Sequence, residues 1–244
     1  MTTLATRIPV ADADELPIDR LQPLTSEQFR LASEAGAFPE ADRVELVDGL
    51  PRQGGPREPL YRLSLDQFHR MDVVPGLERN ELLGGWLVDR TPIHPLHRTA
   101  TYRTRVNLER LVPAGEYYVD QGAPSSMPRT ETEPLPDVQV IRGTSDDYGN
   151  HHPAPGEVAL LVDISDSTIS KDRNDKSRLY AREGITPYWI LNLVAMRLEV
   201  YTDPSGPAES RAYRSMITFG PDDVVPLVLD GREVGRIAVR DLLP

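Results

Sequence analysis

Hydrophobic and polar positions along the chain fall into blocks that switch between the strand period and the helix period. The run "VALLVDIS" (158–165) is almost unbroken in its apolar character, which predicts a strand buried on both faces. "PDVQVIRG" (136–143) predicts a strand entered from Pro136, and "EYYVDQ" precedes it across a proline-rich turn. "TPYWILNL" and "RLEVYTD" predict an adjacent strand pair, and "LDGRE" the turn of a last hairpin. Between them, "DRNDKSRLYAREG" (172–184) predicts a helix capped by Asp172 and stopped at Gly184. "HRTATYRTRVNLERL" (97–111) predicts a helix with Tyr102 and Val106 inward, and Leu96 and Leu111 as further candidates for the inward face. Strands interleaved with helices and hairpins indicate α/β with a mixed sheet.

The patterning also contains a repeat. "PLTSEQFRLASEAGAFPEADRVELVDGL" (23–50) is echoed by "RLSLDQFHRMDVVPGLERNELLGGWLV" (62–88). Each copy opens as a helix N-terminus, with Thr25 or Ser64 as cap and an acid in the first turn, and closes as a short Glu-Leu strand with a glycine turn. "PRQGGPREP" (51–59) links them. The division this implies is a flexible tail over 1–20, an extension over 21–58 that is a degenerate duplicate packed at the sheet edge, and a main domain over 59–244.

Composition narrows the function. The longest apolar runs are strand-length, far below the roughly 18 residues a spanning helix needs, so no membrane association is expected. "MTTLATRIPVADADELPIDR" mixes charges and prolines and does not read as a signal peptide. The absence of cysteine removes disulfide and thiolate chemistry and agrees with a cytoplasmic setting. A formal charge of −11 opposes general binding to nucleic acid, so any DNA contact is local. Of the 27 Lys plus Arg residues only Lys171 and Lys176 are lysines, and both stand among Asp163, Asp166, Asp172 and Asp175.

Candidate chemistry gathers where two strands end. Asp137 opens one strand, and Asp163 sits near the carboxyl end of another, where α/β sheets place ligands. If these strands are neighbours, the two carboxylates lie within about 6 Å and suit a hard cation such as Mg²⁺, or Mn²⁺, with waters completing the shell. The chain then loops through 166–171 and returns as a helix, which brings Lys176 over the end of the strand bearing Asp163 and leaves Lys171 on an exposed loop. A lysine there can steady a metal-bound water or a phosphate.

Other groups read two ways. His97 is either a phosphate contact or a helix-start residue. Arg90, Arg98, Arg103, Arg105 and Arg110 form either a phosphate-binding patch or a solvated helix face. His151 and His152 are neighbours in a Pro/Gly loop, where an extended chain would aim them apart.

With these residues in view, "PDVQVIRG" followed by "LLVDISDSTISKDRNDKSRLYAREGITPYWILNL" and "RLEVY" resembles the Uma-two-type putative restriction endonucleases of the PD-(D/E)xK nuclease superfamily, over roughly residues 62–244. The resemblance implies a restriction-endonuclease-like fold, a central mixed β-sheet flanked by helices, and Mg²⁺-dependent DNA hydrolysis. By position it makes Asp137 the first acid and Asp163 the second, one methylene shorter than the usual Glu. Glu81 corresponds to the family's strand-borne glutamate, because only the second copy continues into Pro92 and His97; Glu45 has no such continuation. The superfamily's lysine position, two after the second acid, is Ser165 here, and Lys176 would supply the missing charge from the helix.

The expected function is therefore a Mg²⁺-dependent DNA endonuclease with Asp137, Asp163, Lys176 and Glu81 as catalytic residues, Asp137 and Asp163 as metal ligands, and His97, Arg98 and Arg105 as substrate contacts. The rival is a catalytically weak or inactive nuclease-derived module that binds DNA or a protein. A phosphoesterase acting on small nucleotides is a third reading. Cutting both strands of a duplex would favour a two-fold homodimer.

Overall fold

The computed structural model describes residues 21–244 apart from 40–41, 55–56, 58, 90–93, 167 and 207–212. The tail expected over 1–20, Arg90 and Pro92 lie outside the described residues.

Both copies of the repeat fold alike. Helix α1 (Ser26–Glu34) and helix α2 (Leu65–His69) open with the same reciprocal cap, Thr25 with Gln28 and Ser64 with Gln67. Each is followed by a two-stranded antiparallel hairpin: β1 (Val44–Val47) with β2 (Leu50–Gln53), then β3 (Glu81–Leu83) with β4 (Trp86–Val88). Asp48-Gly49 and Gly84-Gly85, all at positive φ, make the two turns. The first copy does not sit at an edge of the main sheet. Leu24, Ala32 and Phe38 share one core with Leu63, Phe68, Met71, Leu82 and Leu87, so the two modules pack on each other.

Next come α3 (Pro95–Glu109), β5 (Tyr117–Asp120), β6 (Val138–Arg142), β7 (Val158–Ser165), a π-helical turn (Lys171–Lys176), α4 (Ser177–Glu183), β8 (Tyr188–Asn192), β9 (Arg197–Pro204), β10 (Tyr213–Phe219) and the hairpin β11 (Val224–Leu229) with β12 (Arg232–Ala238). The central sheet has six strands in the order β10-β9-β8-β7-β6-β5. It is antiparallel except between β7 and β8, which the π turn and α4 connect as a parallel crossover. Every residue of β7 is buried, as its unbroken apolar run predicts.

Two layers cover this sheet. Ala100 and Leu108 of α3 and Val225, Leu227 and Ile237 of the last hairpin pack on Val138, Val140, Leu160, Val162 and Leu191. Tyr180 of α4 packs on the other face with Leu161, Tyr188 and Ile190. The inward face of α3 differs from expectation. Leu96 and Tyr102 are exposed, Val106 is half-buried, and Ala100, Thr101, Thr104 and Leu108 are buried. Small residues let the helix approach the sheet closely, which an argument from large apolar positions overlooks.

The segment after β7 also departs from a simple capped helix. Residues 169–170 are already helical, Lys171–Lys176 widen into the π turn, and Asp172 is buried rather than capping. Gly184 ends α4 in the left-handed conformation, φ 79°, where a side chain would be strained.

Candidate active site

The antiparallel register of β6 and β7 pairs Val138 with Val162, so one step further Asp137 stands opposite Asp163 on the same face. Asp137 Oδ2 accepts the backbone N–H of Ile164 at 2.7 Å, and His97 Nε2, from the first turn of α3, lies 3.2 Å from the same oxygen. Asp163 is fully buried. Its Oδ1 accepts from Lys176 Nζ at 3.0 Å and its Oδ2 from the Tyr188 hydroxyl at 2.9 Å.

Glu81, at the start of β3, reaches the same place. Its Oε1 lies 2.9 Å from Lys176 Nζ and also accepts the Leu135 N–H at 2.9 Å, while Oε2 accepts Lys171 Nζ at 2.5 Å. One buried carboxylate thus joins both lysines of the chain. Glu45, its counterpart in the first copy, is exposed on β1.

Lys171 is the clear correction to the sequence reading: it is buried, not on an exposed loop. The cause is the π turn. In an α-helix, residues five apart differ by about 140° around the axis, whereas hydrogen bonding from i to i+5 widens the turn to more than four residues and brings Lys171 round to the same side as Lys176.

Together Glu81, His97, Leu135, Asp137, Asp163, Ile164, Thr168, Lys171, Asp172 and Lys176 line a cleft with about 50 Å³ open to water-sized molecules. A single water needs roughly 10–15 Å³ on that measure, so an ion with some of its waters has room. Arg98 is exposed, and Arg105 is half-buried, bound to Glu109 and set over the Tyr102 ring; neither lines the cleft.

Burial and charge work against each other here. Burial would raise the Glu81 carboxyl, but the Lys176 and Lys171 ammoniums outweigh it and hold it down at about 2. Burial raises the Asp163 carboxyl; Lys176 opposes the rise, and the Asp137 and Glu81 carboxylates add to it. Burial alone would lower the Lys176 ammonium, yet Asp163 and Glu81 drive it well above its ordinary value, so it stays charged. Asp172 is pushed up to about 7 by burial and by Asp163, against hydrogen bonds that include Thr168 Oγ1 at 2.8 Å.

Carboxylate oxygens are the donors a hard cation takes. Among the described residues no group of three or more His, Asp or Glu is arranged to hold a metal ion. Mg²⁺ asks for less, since one or two carboxylates with waters suffice, and Asp137 and Asp163 both line the polar cleft.

A family model described as Uma2, putative restriction endonuclease, matches residues 65–239. The chain belongs to this family. Among solved structures it is similar to a putative nuclease belonging to DUF820 from Anabaena variabilis ATCC 29413, with TM-score 0.55 and 15% identity over 73% of this chain and 96% of that one. At that identity the likeness shows the fold. No match is found among curated proteins. Among the described residues no helix is long and apolar enough to cross a membrane.

The residue pattern of this Uma2 member did not point to Lys171 and Asp172 in the cleft, nor to Tyr188 behind it on Asp163. Asp172 reads as a helix cap, and Tyr188 has no role of its own within the strand "TPYWILNL". The only available signal was that both lysines of the chain lie within six positions.

Proposed function

We propose that the protein is a Mg²⁺-dependent DNA endonuclease, with Mn²⁺ as a substitute ion, that cuts phosphodiester bonds in this cleft. The observation that carries the proposal is the meeting of Asp137, Asp163, Glu81 and Lys176, drawn from two strands, the residue that leads into a third and one helical turn, around a single polar cavity. Buried charges are costly to fold around, and four of them converging on one point suits chemistry better than stability.

Asp137 and Asp163 would hold the ion, which when bound would acidify a coordinated water and offset phosphate charge. Lys176, kept cationic by two carboxylates, would donate a hydrogen bond to the attacking water and to the phosphoryl oxygens as charge builds on them. Glu81 would fix the position of that ammonium. Tyr188 would orient the Asp163 carboxylate by donating to Oδ2. His97, and Arg98 beside it, would meet the DNA backbone at the mouth. With a net charge of −11 such contacts stay local, and binding should weaken as salt rises. A two-fold dimer would present two clefts to the two strands of a duplex.

The test is nicking of supercoiled plasmid in the presence and absence of Mg²⁺, with Asp163→Asn as control. A nuclease cuts only with the metal and loses the activity in the variant. A nuclease-derived binding module retards DNA and cuts under neither condition.

A further inference from the structure

Lys171 reaches the cleft only because the turn preceding α4 is π-helical, and something must hold that unusual register. Downstream, α4 is fixed: Tyr180 and Ala181 are fully buried, which sets the direction of Lys176 one turn earlier. Tightening the turn to α-helix would therefore rotate the residues upstream of Lys176. Asp172, four before Lys176, would take the place now held by Lys171, since residues four apart share a helix face. A carboxylate would then face Glu81 where an ammonium does now.

One side chain in the middle of the turn is tied to the sheet. Arg173 donates through Nε to Glu199 Oε2 at 2.8 Å and through a terminal nitrogen to Oε1. Glu199 lies on β9 with its side chain fully buried, and it also accepts from Asn192 Nδ2 at 3.3 Å, Arg197 Nε at 3.2 Å and the Tyr201 hydroxyl at 3.0 Å. It is thus a buried anchor, hydrogen-bonded by residues of two strands. A guanidinium bound by both prongs to such an anchor fixes orientation as well as distance.

We propose that Arg173 and Glu199 are a positioning pair that holds the turn in its π register and thereby makes Lys171 a second lysine of the cleft. The proposal rests on reading that cleft as the nuclease site. In this arrangement the pair acts through Lys171: the ammonium of Lys171 occupies Glu81 Oε2, leaving Oε1 to Lys176. Releasing the pair turns Lys171 out towards solvent and leaves Lys176 on Asp163.

Because the chain has only two lysines, acetylation by an amine-reactive ester, read peptide by peptide in a mass spectrometer, reports both positions. In the parent both should react far more slowly than in the chain unfolded by guanidinium. In Arg173→Ala, whose side chain is partly exposed, and in Glu199→Gln, acetylation of Lys171 should rise roughly tenfold or more while Lys176 stays protected, a local opening rather than unfolding. The same variants should lower kcat for plasmid nicking and leave KM near the parental value. Protection of Lys171 in both variants at the parental level overturns the proposal, as does exposure of both lysines together. If Lys171 responds as expected but no form of the protein cuts DNA, the positioning role stands and the nuclease reading fails.

Discussion

Asp137 takes its position from the strand that carries Asp163: its Oδ2 accepts the N–H of Ile164 at 2.7 Å. The first acid is therefore both a structural acceptor and a candidate ligand, and two substitutions separate these roles. Asp137→Ala leaves a buried N–H without its partner and should cost about 1–3 kcal/mol in urea denaturation. Asp137→Asn keeps an acceptor and should stay within about 1 kcal/mol of the parent, while calorimetric titration shows weakened Mg²⁺ binding. Parental Mg²⁺ affinity in Asp137→Asn would remove Asp137 from the metal site.

Glu81 and Glu45 occupy matching places in the two modules and should behave oppositely. Glu81→Gln leaves two buried ammoniums sharing one carboxylate fewer, a loss expected to be on the order of 3–5 kcal/mol. Glu45→Gln changes an exposed residue and should fall within about 0.5 kcal/mol. Equal effects in the two variants would show that the ion pairs at Glu81 do not form in solution.

The main sheet was legible because its strands carry their own signals, the unbroken run of β7 and the proline before β6, and the separate last hairpin announces itself by the Asp-Gly turn between β11 and β12. The meeting of Asp137 with Asp163 follows once those two strands are made antiparallel neighbours. The position of Lys171 was not legible, since a 3.6-residue period sets it and Lys176 on different faces and nothing local in "SKDRNDK" announces a π turn. Asp172 misled for a related reason. An Asp at a helix start is ordinarily a cap, and only the tertiary position of Thr168 and the end of β7 turns it inward. The face of α3 failed because close approach favours Ala and Thr over Tyr.

The acid limb of stability should report two carboxylates. Glu81 and Glu199 are each held at about 2 in the folded chain against an ordinary 4.5, burial in both cases being outweighed by cationic and hydrogen-bonding partners. Their stabilisation is present above the unfolded value and is lost as pH falls towards 2, at most about 3 kcal/mol each. Asp172 has the opposite sign. Raised to about 7 from 3.8, it retains its proton in the folded chain, so stability declines as pH rises through that window. Asp172→Asn should be more stable than the parent at about pH 8 and indistinguishable below about pH 4, as followed by chemical denaturation at each pH. A constant difference across the range would contradict the assignment.

Tyr188 donates to Asp163 Oδ2 at 2.9 Å from a fully buried position. Tyr188→Phe removes only that donor, and a hydrogen bond to a charged group is worth roughly 1.5–3 kcal/mol. The expected outcome is a folded protein, less stable by about that amount, whose plasmid nicking falls in kcat more than in KM. Unchanged stability and rate together would mean that the hydroxyl does not orient Asp163.

The central claim is that Lys176 and Asp163 act together on a phosphodiester, and the most direct measurement is the rate of supercoiled plasmid nicking at saturating Mg²⁺ for the parent, Asp163→Asn, Lys176→Ala and Lys176→Arg. The account predicts metal-dependent nicking by the parent and loss of at least about a hundredfold in each of the first two variants, the scale of removing one electrostatic contact to a transition state. Lys176→Arg should be nearly as poor, since a guanidinium is larger and differently aimed. Circular dichroism should match the parent throughout. Nicking by folded Lys176→Ala at the parental rate, or parental nicking that persists in a chelator, would contradict the account.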